Sequence, residues 1–361
     1  MSGGATSSTT PPSEKLQDIR PTPRDVSKTD IVIIDKQGDV LLKVGGGDRA
    51  IERFCVSSKT LARCSSPFED LLLLDNTGEA DSPDEYLVTL PGDAPEPMRI
   101  LLLIAHGCHD DVPESLSTRQ FFELVELASR YDMIAALHPW LQQWTNPLLE
   151  AIKSQKLDLL GFIAWETGSR RFYEYTVMLF AKQCAIDEYG NPLDPRNSRP
   201  VRLNKHSVRT GFYDYALKMR GDVVREVLFK LATAIQDCLG NSVCQQGDSV
   251  VCPLVVFGSL TKAYEAAGID WEAFRSSRFP SYRKGLSDLA SSLMSMQYDN
   301  VQGHDCNPIP RIQKAVAEIW KDRELSLVEE DERHFEERAM IYDAAKVDED
   351  ARRRRVGDSQ S

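Results

Sequence analysis

The sequence predicts an α+β fold: a small sheet with helices in the first part of the chain, followed by a mainly α-helical second part. Three observations predict it. Short alternating or apolar runs at Asp30–Asp35, Asp39–Val44 and Glu85–Leu90 read as strands. Between and after them, apolar residues recur at helical spacing, as in Phe121, Leu124, Val125, Ala128 and Tyr131. From residue 146 onward the helical pattern continues with no further strand signal.

Residues 1–28 are rich in Ser, Thr, Pro and Gly without apolar periodicity and are expected to be a disordered tail. The first two strands are expected to pair as a hairpin turning at Gln37-Gly38-Asp39, where glycine accepts a positive φ. The glycine run at 45–47 then loosens the backbone before Phe54 enters the core. It lacks the Gly-Lys-Ser/Thr ending of a phosphate-cradling loop. A helix pair follows. Leu61 belongs to the first helix, and the second has Ser66 at the N-cap, Pro67 at the first helical position and Glu69 completing a capping box. Glu85–Leu90 is the next strand and stops at Pro91-Gly92. Asp93-Ala-Pro then opens a helix carrying Met98, Leu101, Leu102 and Ala105 on one face. Ser117 with Gln120 opens another, and a last helix carries Leu137, Trp140, Leu141 and Trp144.

The block Phe54-x-Val56-x(4)-Leu61-x-x-Cys64-Ser65-x-x-Phe68, with Ala128-Ser-Arg-Tyr131 downstream, resembles the BTB/POZ domain over residues 29–145. The resemblance implies a domain that pairs proteins rather than transforming substrates. It is similar to the variant found in multidomain fungal proteins, with Ser57-Ser58 where other members carry a histidine. It implies homodimerisation or recruitment of a partner, with transcriptional co-regulators or a cullin-type ligase scaffold as typical partners. Residues 146–320 resemble, in Ser207–Gly211, Phe257–Leu260 and His304–Cys306, the C-terminal region of unassigned function that accompanies such domains.

In that second part, helices are expected over Leu157–Trp165, Phe172–Cys184 with a break at Gly168, a long stretch Asn204–Leu239 weakened at Gly211 and Gly221, Leu254–Ala267 and Tyr282–Met296. Residues 321–361 read as a charged helix, with Val328, Phe335, Ala339 and Tyr342 as its stripe, and a tail ending in Arg352–Arg355. That helix is either solvated or a partner-docking surface. The arginine cluster is either a nuclear-import signal or part of a disordered tail.

The 361 residues suit about two domains. A formal net charge of −12 argues against direct nucleic-acid binding, which needs a basic footprint. The longest apolar runs, such as Ile100–Ala105, fall far short of a bilayer crossing. The opening residues lack the charged and apolar regions of a signal peptide, so the eight cysteines are expected as reduced thiols in the cytoplasm or nucleus.

The chemistry-bearing group is Cys244, Cys252, His304 and Cys306, all expected in loops of the helical part. Three thiolates and an imidazole make a tetrahedral set for structural zinc, although Cys-x7-Cys and His-x-Cys are not the tight Cys-x2-Cys knuckles. Reduced, partly buried cysteines are the competing reading, and Cys238 is an alternative fourth ligand. Cys55, Cys64, Cys108 and Cys184 are expected to be packing residues. His106 and His109 lie where a helix-end cap is the commoner explanation. No Gly-x-Ser-x-Gly elbow or His-Glu-x-x-His helix is present. The expectation is therefore a non-enzymatic interaction protein. The alternative is a metal-dependent enzyme with its site in the helical part.

Overall fold

The computed structural model describes residues 31–47, 50–74, 86–240, 244, 246–247, 250–269, 282–321 and 323–341. The N-terminal tail, Tyr342 and Arg352–Arg355 lie outside them. The fold is α+β, with one four-stranded sheet and thirteen α-helices among the described residues.

The sheet consists of β1 (Ile31–Ile33), β2 (Val40–Val44), β3 (Glu52–Val56) and β4 (Tyr86–Leu90), in the order β1-β3-β2-β4. This differs from the expected hairpin. β3, which the sequence pattern had not marked as a strand, lies between the first two, parallel to β1 and antiparallel to β2. β4 runs parallel to β2 on its other side. Gly38 accordingly has no positive φ. It is a glycine because the chain passes close to β3: a Cβ would lie 2.8 Å from the Val56 nitrogen and 2.7 Å from Cys55 Sγ. Leu42, Phe54, Val56 and Val88 face inward and are fully buried.

The helix pair α1 (Ser58–Cys64) and α2 (Ser66–Leu74) follows β3. The cap lies one residue earlier than expected: Ser65 Oγ accepts from the Phe68 N–H at 3.1 Å and donates to the Tyr131 carbonyl at 2.6 Å. One hydroxyl thus starts α2 and ties it to Tyr131, whose ring stacks on that of Phe68 with centroids 4.2 Å apart. Helices α3 (Pro95–Ala105), α4 (Thr118–Arg130) and α5 (His138–Glu150) follow. The expected capping box of Ser117 and Gln120 opens α4. Phe121 of α4 meets Trp144 of α5 edge-on at 5.5 Å, and both are fully buried in one core with Leu124 of α4 and Leu101 of α3.

The remaining helices are α6 (Leu157–Glu166), α7 (Arg170–Gln183), α8 (Lys205–Arg209), α9 (Phe212–Leu239), α10 (Val251–Ala267), α11 (Leu286–Met294), α12 (Ile309–Glu318) and α13 (Glu329–Ile341). The long helix expected from Asn204 is two helices. Gly211, in the left-handed region at φ 61°, breaks the run, and a residue with a Cβ is strained there.

Two apolar cores result. The first takes residues from Ile34 through Met219, so the expected boundary at 145/146 falls inside it. The second takes Val223 of α9 through Val316 of α12. Having built the second, the chain returns to the first with Leu325 and Phe335. Phe335 of α13 is buried, its ring 5.1 Å from that of Trp165 and 5.4 Å from that of Tyr173. The charged helix therefore docks on its own chain. The expected stripe does not hold, since Val328 is exposed and Ala339 faces solvent. Where the cores meet, the buried Arg220 donates to the carbonyls of Cys184, Tyr282 and Lys284, and Trp320 packs against both. No helix of the described residues is long and apolar enough to cross a membrane.

Candidate functional site

The four residues singled out for metal binding converge. α9 ends at Leu239, and Cys244 follows shortly after it. Cys252 is buried in the first turn of α10, which corrects the expectation of a loop: the run Val251-Cys-Pro-Leu is already helical. His304 and Cys306 come from the segment between α11 and α12, which is pinned on both sides. Ser259 Oγ of α10 accepts from the Asp299 N–H at 3.2 Å. The buried Asn307 donates to the Asp299 carbonyl at 3.1 Å and accepts from the Ile309 N–H at 3.1 Å. The His304 N–H closes the turn on the Val301 carbonyl at 2.8 Å. These bonds hold His304 and Cys306 over the start of α10.

All four donor atoms lie within 4.8 Å of one another, and Cys244 Sγ is 3.4 Å from His304 Nδ1. A zinc ion with Zn–S bonds of about 2.3 Å sets the ligand–ligand edges of its tetrahedron at about 3.8 Å. The cluster therefore needs to contract by less than about 1 Å to close on such an ion. Burial, then hydrogen bonds that its own S–H donates to Cys306 and Cys244 and the like charge of those neighbours, push the Cys252 thiol well above its ordinary value. Crowded thiols without a cation resist ionisation, and a divalent ion is what would favour their thiolates. Cys238, the alternative ligand, is buried in α9 outside this group.

The chain matches no family model, and no curated protein matches it.

The remaining cysteines and histidines take packing or capping roles, with one correction. Cys184 is buried and Cys55 and Cys108 are half-buried, but Cys64 is exposed at the end of α1. His106 does sit at the end of α3, with Nδ1 2.9 Å from the Leu102 carbonyl and Nε2 3.1 Å from the Ser57 nitrogen. Its ring thus donates to one backbone group and accepts from the other, and joins α3 to the N-cap of α1. His109 packs edge-on against Trp140 at 5.2 Å.

A second feature went unmarked in the sequence. A cavity of about 630 Å³ opens between the α5–α6 turn, the start of α8 and the loop that follows α7. Its lining includes seven Lys or Arg residues against three carboxylates. The loop is shaped by Asp194, which accepts from the Arg196 backbone at 2.9 Å and pairs with its guanidinium at 2.7 Å. Asn204 Oδ1 accepts from the His206 and Ser207 N–H groups at 2.9 Å and starts α8. On the floor, Glu126 meets Lys205 at 2.9 Å and His206 at 3.2 Å. Burial pushes the Glu126 carboxyl up, but Lys205, His206 and Arg130 outweigh it and hold it below the usual carboxylate range. The signal for the site was the threefold spacing of Arg196, Arg199, Arg202 and Lys205.

Proposed function

We propose that this chain is a non-enzymatic protein–protein interaction protein, whose sheet-bearing part pairs with a second copy in the manner of a BTB/POZ domain and whose helical bundle is held by structural zinc. The observation that carries the pairing is the β1 edge of the sheet, which is unpaired among the described residues. β1 is an edge strand, and Ile31 and Ile33 on it are 45% and 63% exposed. An exposed apolar edge strand is a template for adding another strand, which satisfies its backbone groups and covers its side chains together. The order of strands, helix pair, strand and further helices over residues 29–145 supports the same reading.

The metal group supports a structural rather than a catalytic role. Three cysteines and a histidine fill a tetrahedral sphere with protein ligands, whereas a catalytic zinc keeps a position open for water or substrate. A cullin-type scaffold or another protein partner on the same edge is the second form of the reading. Sedimentation equilibrium of the full chain and of an Ile31→Lys/Ile33→Lys variant tests it. A wild-type dimer that dissociates in the variant, with an unchanged melting temperature, is the expected result. A wild type that stays monomeric at tens of micromolar sinks self-pairing.

A further inference from the structure

We propose that the basic cavity beside α8 binds a small molecule carrying clustered phosphate charges. The inference is independent of the pairing edge and of the cysteine cluster, which lie on other elements.

The first ground is local charge. The chain as a whole carries a formal −12, yet this cavity has an excess of cations. Its carboxylates are already engaged: Asp194 pairs with Arg196, Glu126 pairs with Lys205, and Asp158 faces the Tyr213 hydroxyl. Lys153, Lys156, Arg199 and Arg202 form no salt bridge among the described residues, and of the four only Lys156 feels a cavity carboxylate, the longer-range attraction of Asp194. They approach the cavity from two sides, the two lysines from the α5–α6 turn and the two arginines from the loop after α7. Four cations without a salt bridge around one space repel each other, and an anion among them relieves that repulsion.

Size and shape narrow the ligand. The volume lies within the range of small-molecule sites and the site is concave. A nucleic acid is disfavoured because the chain as a whole carries a formal −12, which repels a long polyanion, whereas a small anion meets only the cavity. A protein tail is disfavoured because carboxylates bring one charge each, whereas a phosphate brings close to two and three acceptor oxygens. Four cations from two segments of the lining match two or three linked phosphates. Arginine binds these as a fork and lysine as a point charge.

The test is calorimetric titration of the purified full-length protein with sodium tripolyphosphate at physiological salt. Adenosine triphosphate serves as a parallel titrant, and citrate and hexaglutamate as competing anions. Arg199→Glu/Arg202→Glu and Lys153→Glu/Lys156→Glu probe the two walls. Arg311→Glu/Lys314→Glu on α12 is the control for general charge. The four wall residues are exposed and unpaired, so these variants should melt with the wild type. Saturable tripolyphosphate binding, weakened at least about tenfold by either wall variant and unchanged by the control, is expected. Tighter binding of adenosine triphosphate than of tripolyphosphate identifies a nucleoside carrier, and equal binding identifies the phosphate chain alone. No saturable binding by the wild type, an equal loss in the α12 control, or citrate or hexaglutamate binding as tightly as tripolyphosphate overturns the proposal.

Discussion

Cys244 Sγ and His304 Nδ1, 60 residues apart in the chain, lie 3.4 Å from each other in the folded protein. Cys252 at the α10 N-terminus and Cys306 on the pinned segment before α12 complete the group. Purified protein should contain about one zinc per chain by plasma mass spectrometry, and Cys306→Ser should lose it. A strong chelator should lower the melting temperature of the wild type and leave that of Cys306→Ser unchanged, because metal-binding energy is folding energy at such a site. Metal-free wild-type protein would remove the zinc reading.

Glu166 has no exposed area, yet two arginines reach it: Arg209 at 2.9 Å and Arg338 of α13 at 3.6 Å, with Ser129 Oγ donating at 2.8 Å. The two sides of this group should respond unequally. Removing both arginines leaves a buried carboxylate with only the Ser129 hydroxyl for a partner and should cost about 3 kcal/mol or more in urea unfolding. Glu166→Gln should cost less, since the amide is neutral and the half-exposed Arg209 can turn to water. Equal costs would mean that the arginines act through packing alone.

Phe335 anchors α13 against Trp165 and Tyr173. Phe335→Ala should destabilise the protein by about 3–5 kcal/mol, the usual range for truncating a buried aromatic ring. Because Trp165 is covered by this helix, the variant should also show red-shifted tryptophan emission before global unfolding. An unshifted spectrum would mean that α13 stays docked through its ion pairs.

His334 stacks on Trp165 at 4.2 Å, and its Nε2 lies 3.1 Å from the Trp165 carbonyl. Burial holds it below its ordinary value of 6.5, and burial has the same effect on His206. The unfolded chain therefore takes up these protons first as pH falls. The associated stability is complete above about pH 6.5 and declines as pH drops toward the folded values. Carboxylates held low, such as Glu126 and Asp194, act only below the usual carboxylate range and leave this window clear. Urea midpoints should therefore fall between about pH 7.5 and about pH 5.5, and His334→Gln should reduce the fall. An undiminished fall in the variant would place the effect elsewhere.

Local signals were legible in the sequence, and long-range ones were not. The Ser117–Gln120 box, the stripe of α4 and the alternation of Tyr86–Leu90 are set by neighbours in the chain, and each formed where its residues indicated. β3 is five residues long with only Phe54 and Val56 buried, too short a pattern to separate from a loop, and its insertion between β1 and β2 is a non-local pairing. α12 was hidden because Pro308 and Pro310 flank its start, although Ile309, Ile312 and Val316 share its buried face. The metal group was readable because Cys and His carry their chemistry with them. The basic cavity was overlooked because a net charge of −12 conceals a cluster of the opposite sign.

The return of Leu325 and Phe335 to a core begun at Ile34 gives the second core the topology of an insert within a host. A chain growing from its N-terminus holds an unfinished host while a whole bundle is made, and closes it only when the last helix arrives. The insert is tethered at both ends to one body, near Arg220 and Trp320. The order in which the chain is made is thus not the order in which its cores are completed.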